Sequence, residues 1–196
     1  YAGSAVAYEG LELLMEAMAS LKQQGQAFVF VLVGDGKVID TVKARARALG
    51  LEGHCRFTGR VPFDEVPRYL SCMDILPVPR LSSPVTEMVS ALKPLEAMAM
   101  GKAVVLSDVS PHKTMAGADE RARLFRKDDA ADLCRVLSAL MASPKERERL
   151  GRAARAWIEK ERTWKHVTEA YAHALERIHE RKAEVAAALP AAKSLE

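Results

Sequence analysis

Short apolar runs of strand character alternate along this chain with segments whose apolar residues recur at helical spacing, and few folds accommodate that alternation. Strand, helical crossover and further strand build a parallel sheet with helices on its faces. Strands are predicted at residues 1–7, 28–33, 55–58, 75–78, 103–106 and 123–125. Between the first two, Leu11, Leu14, Met15, Met18 and Leu21 share one helical face, and Gly25 stands where a helix stops. Val38, Val42, Ala46 and Leu49, ended by Gly50, give the next helix. Asp64, Val66, Tyr69 and Leu70 give a short one, and residues 94–100, ended by Gly101, give another. Together these units predict an α/β fold: a Rossmann-like doubly wound parallel sheet of about six strands, whose ligand crevice lies beyond the carboxyl ends of the strands. After Pro144 the strand signals cease. Trp157, Ile158, Trp164, Val167, Tyr171, Leu175 and Ile178 there mark the apolar stripes of two long C-terminal helices, expected to be core contacts.

Composition narrows the function classes. With 196 residues, 49% of them apolar, the chain fills one core rather than two. Its 29 basic against 26 acidic residues leave a net charge of +3, too small to imply a nucleic-acid partner. Cys55, Cys72 and Cys134 form neither a disulfide framework nor a metal-ligand cluster, which fits a reducing cytoplasm. The run at residues 27–33 falls far short of the roughly 20 residues of a membrane span, so any membrane contact, at the inner face, is left to a missing domain. A fragment is expected, since the chain opens at Tyr1 inside a strand-like run and Leu195-Glu196 resembles a cloning remnant. Residues 1–182 are expected to form the domain, with 183–196 a disordered tail.

Chemistry should then sit in the loops after the strands. The richest one leaves the fourth strand at Arg80, passes Glu87, Ala91 and Leu92, and opens a helix at Lys93-Pro94-Leu95-Glu96. A helix start at the crevice offers unpaired amides and a positive dipole end to a phosphate, with Lys93 adding a full charge. Glu96, one turn inside, would accept hydrogen bonds from vicinal hydroxyls such as those of a ribose. Other candidates read as structural: His112 as a helix cap or solvent-facing residue, and Asp128-Asp129 as a helix N-terminus rather than a metal site. No nucleophile and base can be paired from spacing, and no metal ligands are assigned.

The stretch from Glu96 through Ala97-Met98-Ala99-Met100-Gly101 to Val104-Val105 resembles the donor-binding signature of the retaining glycosyltransferases of GT-B architecture, glycosyl transferases group 1 or family 4. Val31-Leu32-Val33-Gly34-Asp35-Gly36, Arg56-Phe57-Thr58-Gly59-Arg60-Val61-Pro62 and Cys72-Met73-Asp74-Ile75-Leu76 follow that family's order and spacing. Thr86-Glu87 through Lys93-Pro94-Leu95-Glu96-Ala97 is most similar to the exosortase-associated subgroup that builds exopolysaccharides. The resemblance implies the C-terminal, donor-binding half of such an enzyme. It would bind a UDP- or GDP-type sugar, use no cofactor, and work with an N-terminal acceptor domain and a glycan or lipid-linked acceptor. It also implies that Glu96 contacts the ribose, that the amides near Ala91 and Leu92 meet the diphosphate, and that Arg60, Val61 and Pro62 lie beside the base. Gly3-Ser4 and Gly34-Asp35-Gly36 become loops that let the ligand approach the backbone closely.

Two departures stand out. The family's paired glutamates are separated by seven residues, but the matching position here holds Met88, with Glu87 one place out of register; either the loop shifts to let Glu87 serve as the first catalytic carboxylate beside Lys93 and Glu96, or that carboxylate is dispensable. The family's cations in the first loop are replaced by Ser4 and by Glu9, whose charge repels phosphate, so the cationic role is expected to pass to Lys93 and Arg80. A nicotinamide-dependent oxidoreductase needs G-x-G-x-x-G after its first strand, which the first loop lacks. A nonenzymatic nucleotide-binding domain remains the other alternative.

Overall fold

The computed structural model describes residues 1–188, with side chains described as far as residue 182. It divides into two compact units, Tyr1–Ala156 and Trp157–Glu196. In the first, apolar residues at helical spacing build α1 (Leu11–Gln23), which buries Leu11, Leu14, Met15, Met18 and Leu21 and stops at the left-handed Gly25. Strand β1 (Phe30–Val33) leads into α2 (Ile39–Ala48), and β2 (Cys55–Gly59) returns parallel to β1, with Phe30 opposite Cys55. A short α3 (Val66–Ser71) precedes β3 (Ile75–Val78). From β3 the chain runs through α4 (Pro84–Met88) and α5 (Lys93–Ala99) into β4 (Ala103–Ser107). Then come α6 (Ser110–Ala116), β5 (Arg123–Phe125), α7 (Ala130–Ala142) and α8 (Pro144–Glu161). Strands β3, β4 and β5 form a second parallel sheet in that order, and all five residues of β4 are buried, as befits a central strand covered on both faces.

The core lies where α1 packs on α7 and α2, over Leu32, Val105 and Phe125. Asp129 caps α7 as expected, accepting from the Asp132 amide at 2.8 Å, whereas Asp128 accepts from the Ser82 amide of the loop after β3.

Among the described residues five strands lie in two sheets, fewer than the six expected in one. The run at residues 1–7 contributes one bridge, Ala2 beside Val33, with Tyr1 and Gly3 exchanging backbone hydrogen bonds with β1. Gly3 then adopts φ +135°, the Ala5 amide turns to Asp35, and Ala7–Glu9 closes as a 3-10 turn, so the strand-like composition is spent on a reversal.

In the second unit α9 (Trp164–Ala188) carries Trp164, Tyr171, Leu175 and Ile178 exposed, against the expectation that this stripe is core. Helical periodicity records that one face is apolar; it does not say what covers that face. The helix continues to Ala188, into the segment expected to be a disordered tail, and residues 189–196 lie outside those described.

Candidate donor-binding site

A cavity of about 380 Å³ opens at the carboxyl ends of β1 and β2. Ala2, Gly3 and Ser4 form one wall, Val33, Gly34 and Asp35 a second, and Arg60, Val61, Phe63 and Val66 a third; Lys93 and Glu96 face it from α5. Seven of the residues expected at the site thus meet in one place: Gly3, Ser4, Gly34, Arg60, Val61, Lys93 and Glu96. A larger cavity of about 420 Å³ lies at the opposite, amino ends of β1 and β3, between apolar residues such as Met18, Leu21 and Met141. The first is the better candidate, because ligands of parallel α/β sheets bind beyond the carboxyl ends and because four charged side chains, Asp35, Arg60, Lys93 and Glu96, line it against Asp74 and Arg147 in the other.

The glycines make room for protein. A β-carbon on Gly34 would fall 2.2 Å from the Gly3 carbonyl oxygen, and one on Gly3 would fall 2.2 Å from Cε of Lys93. Gly36, outside the cavity lining, is in the same position against the Ala5 carbonyl. The loops after β1 and around residue 3 therefore lie backbone to backbone, and the Lys93 stem crosses the gap at Gly3.

Lys93 is held from beneath. Its Nζ lies 2.8 Å from Oε1 of Glu9 and 5.2 Å from the Tyr1 ring centroid. Arg80 does not line the cavity; it is buried, donating from Nη2 to the same Glu9 oxygen at 3.2 Å and from Nη1 to the Val89 carbonyl at 3.0 Å. Glu9, which the sequence places as an opponent of phosphate, is a fully buried counter-ion for both cations. No hydrogen bond or ion pair to another described residue engages the carboxylate of Glu96 or the guanidinium of Arg60, which leaves both for a ligand.

Glu87 lies elsewhere. Its Oε2 accepts from the Ser110 amide and hydroxyl at 3.0 and 2.8 Å, and its Oε1 accepts from Lys127 and Ser82. The Lys127 ammonium, followed by the Ser110 donors, holds its carboxyl down at about 2. This carboxylate ties α4 to the start of α6 and to the loop before α7, and it is not brought to the cavity with Glu96. Ala91 is buried and Leu92 exposed at the α5 cap; neither they nor Pro62 line the cavity.

His112 is buried with no exposure, neither a cap nor at the surface. Its Nδ1 donates to the Ser107 carbonyl at 3.0 Å, and burial pulls its pKa down to about 4. Asp35, named with its loop, also lines the cavity, and four lining residues were missed: Ala2, Val33, Phe63 and Val66. Phe63 had a legible signal, an aromatic directly after Pro62 in a loop leaving a strand at its carboxyl end, and it is 87% exposed.

A parallel α/β domain with a charged crevice at its strand ends is the architecture of nucleotide-binding modules. The chain belongs to the glycosyl transferases group 1 family, whose sequence profile matches residues 1–157. It is 30% identical over 154 residues to the amylovoran biosynthesis glycosyltransferase AmsK of Erwinia amylovora, covering 78% of this chain and 38% of that one. It is 27% identical over 154 residues to the 2-deoxystreptamine glucosyltransferase of Streptomyces kanamyceticus, with the same coverage. The chain thus spans about two fifths of these relatives. Among solved structures, the C-terminal domain of a glycosyl transferase group 1 family protein, LpcC, from Francisella tularensis superposes with TM-score 0.68 at 18% identity, over 81% of this chain and 83% of that one. Anabaena HepE in complex with UDP superposes with TM-score 0.77 at 17% identity, over 90% and 48%. The fold is that of the C-terminal half of GT-B glycosyltransferases. Among the described residues, no helix is long and apolar enough to cross a membrane.

Proposed function

We propose that the 380 Å³ cavity binds the nucleoside diphosphate of a nucleotide-sugar donor, and that the longer protein transfers the sugar with retention of configuration. The acceptor on this reading is a glycan or lipid-linked saccharide in exopolysaccharide or cell-envelope synthesis, bound by the N-terminal half. The observation that carries the proposal is Lys93 and Glu96 on one turn of α5, a cation and a free carboxylate facing one crevice opposite Arg60. As the glycosidic bond breaks, charge builds on the leaving diphosphate, and a cation already in place stabilises it more than it stabilises the bound donor. Glu96 accepts from ribose hydroxyls, while Arg60 and Val61 flank the base. Family membership, the AmsK relative and the UDP held by HepE support this assignment.

A thermal-shift panel of UDP, GDP, their sugars and NAD tests it, since a ligand that binds only the folded state raises Tm. A rise with UDP or GDP and none with NAD is expected; a rise with NAD alone would return the chain to the oxidoreductase alternative.

A further inference from the structure

Glu9 is a fully buried carboxylate directly behind the cavity wall. The 3-10 turn Ala7–Glu9 carries it inward, and Gly10 lets the chain pass so close to the loop after β3 that a β-carbon there would fall 1.9 Å from the Pro79 oxygen. A backbone hydrogen bond from Leu81 to the Tyr8 carbonyl, 2.9 Å, closes the same seam. One carboxylate oxygen takes both Lys93 and Arg80, while Oε2 and the Arg80 Nε are buried with no hydrogen-bond partner among the described residues. Apolar residues of similar volume would serve stability at least as well as such an ion cluster. What apolar residues could not do is hold an ammonium at a fixed point on the wall. The Lys93 stem has four rotatable carbons, yet three elements fix it: the Glu9 carboxylate, the Tyr1 ring and the gap at Gly3.

We propose that Glu9 is the positioning residue of the donor pocket: it orients Lys93 toward the diphosphate and offsets one of the two positive charges behind it. The inference rests on the donor-pocket assignment above. Replacing Glu9 should act on the diphosphate through Lys93 and leave the nucleoside alone.

The test is calorimetric titration with UDP, GDP, uridine and guanosine of the parent chain, Glu9→Gln, Lys93→Ala and the double variant. Glu9→Gln is expected to lower the preference for diphosphate over nucleoside about tenfold, as the loss of one charge-assisted hydrogen bond would. Added to Lys93→Ala it should change that preference less than about twofold, because the cation it positions is gone. Glu9→Asp, which keeps the charge on a shorter arm, should recover part of the loss. Should Glu9→Gln fail to fold, Glu9→Gln with Arg80→Met removes the stranded buried cation and carries the same comparison. A folded Glu9 variant with the parent's preference overturns the inference, as does an equal loss in the Lys93→Ala background. If Lys93→Ala lowers the preference and Glu9→Gln does not, this inference alone falls; if the parent prefers neither diphosphate to its nucleoside, the donor pocket falls with it.

Discussion

Gly3 and Lys93 share one space: the β-carbon that any other residue would place at position 3 would lie 2.2 Å from Cε of Lys93. Gly3→Ala should therefore displace the Lys93 stem and also strain a backbone held at φ +135°, at a cost of about 1–3 kcal/mol. Urea denaturation measures that cost. In the folded variant, UDP or GDP binding should fall while nucleoside binding holds, because the displaced group is the cation.

Glu87 should behave as a structural tie. Its carboxylate is occupied by Ser82, Ser110 and Lys127, so Glu87→Gln should lower Tm and leave the affinity for UDP and uridine close to the parent's. Because its carboxyl is held down at about 2, its contribution is present above the ordinary carboxylate pKa of 4.5 and is lost as pH falls toward 2. The Tm difference between parent and Glu87→Gln should thus narrow across that window. A large loss of nucleotide affinity in a variant with the parent's Tm would place Glu87 at the donor instead.

His112 gives the fold a second acid sensitivity. Its folded pKa of about 4 lies below the ordinary 6.5, so the unfolded chain takes up the proton first. Stability attached to the neutral ring is present above pH 6.5 and is lost as pH falls toward 4, by about 2–4 kcal/mol. His112→Asn, whose amide can still donate toward the Ser107 carbonyl, should be less stable at pH 7 and lose less between pH 7 and 4.5. Urea titrations at the two pH values decide it, and parallel losses in both proteins would remove His112 as the cause.

Much of this architecture is legible in the sequence because the physics involved is local. The stripe from Leu11 to Leu21, the stop at Gly25 and the run at β4 each declare themselves within a few residues, and the alternation orders them into a parallel sheet. Of the residues the structure gathers at the cavity, Lys93 and Glu96 follow from their place at a helix start, whereas Gly34 and Arg60 follow from the family resemblance. What was not legible depends on contacts distant in sequence. Glu9 reads as a charge that repels phosphate until Arg80 and Lys93 arrive to neutralise it, and Glu87 reads as a stand-in for the first family carboxylate until Ser110 and Lys127 claim it. The opening run was misread because strand composition at residues 1–7 does not reveal that Gly3 turns the chain. Trp164 and Tyr171 show the same limit, an apolar stripe whose cover no local pattern names.

Calorimetric titration of Lys93→Ala and Glu96→Gln with UDP, GDP and the matching nucleosides tests the donor pocket most directly. Lys93→Ala should weaken the diphosphate more than its nucleoside by about 1–3 kcal/mol, the loss of a charge-assisted hydrogen bond. Glu96→Gln should weaken diphosphate and nucleoside alike, since both carry the ribose. If both variants remain folded and bind every ligand as the parent does, the crevice at α5 is not the nucleotide site.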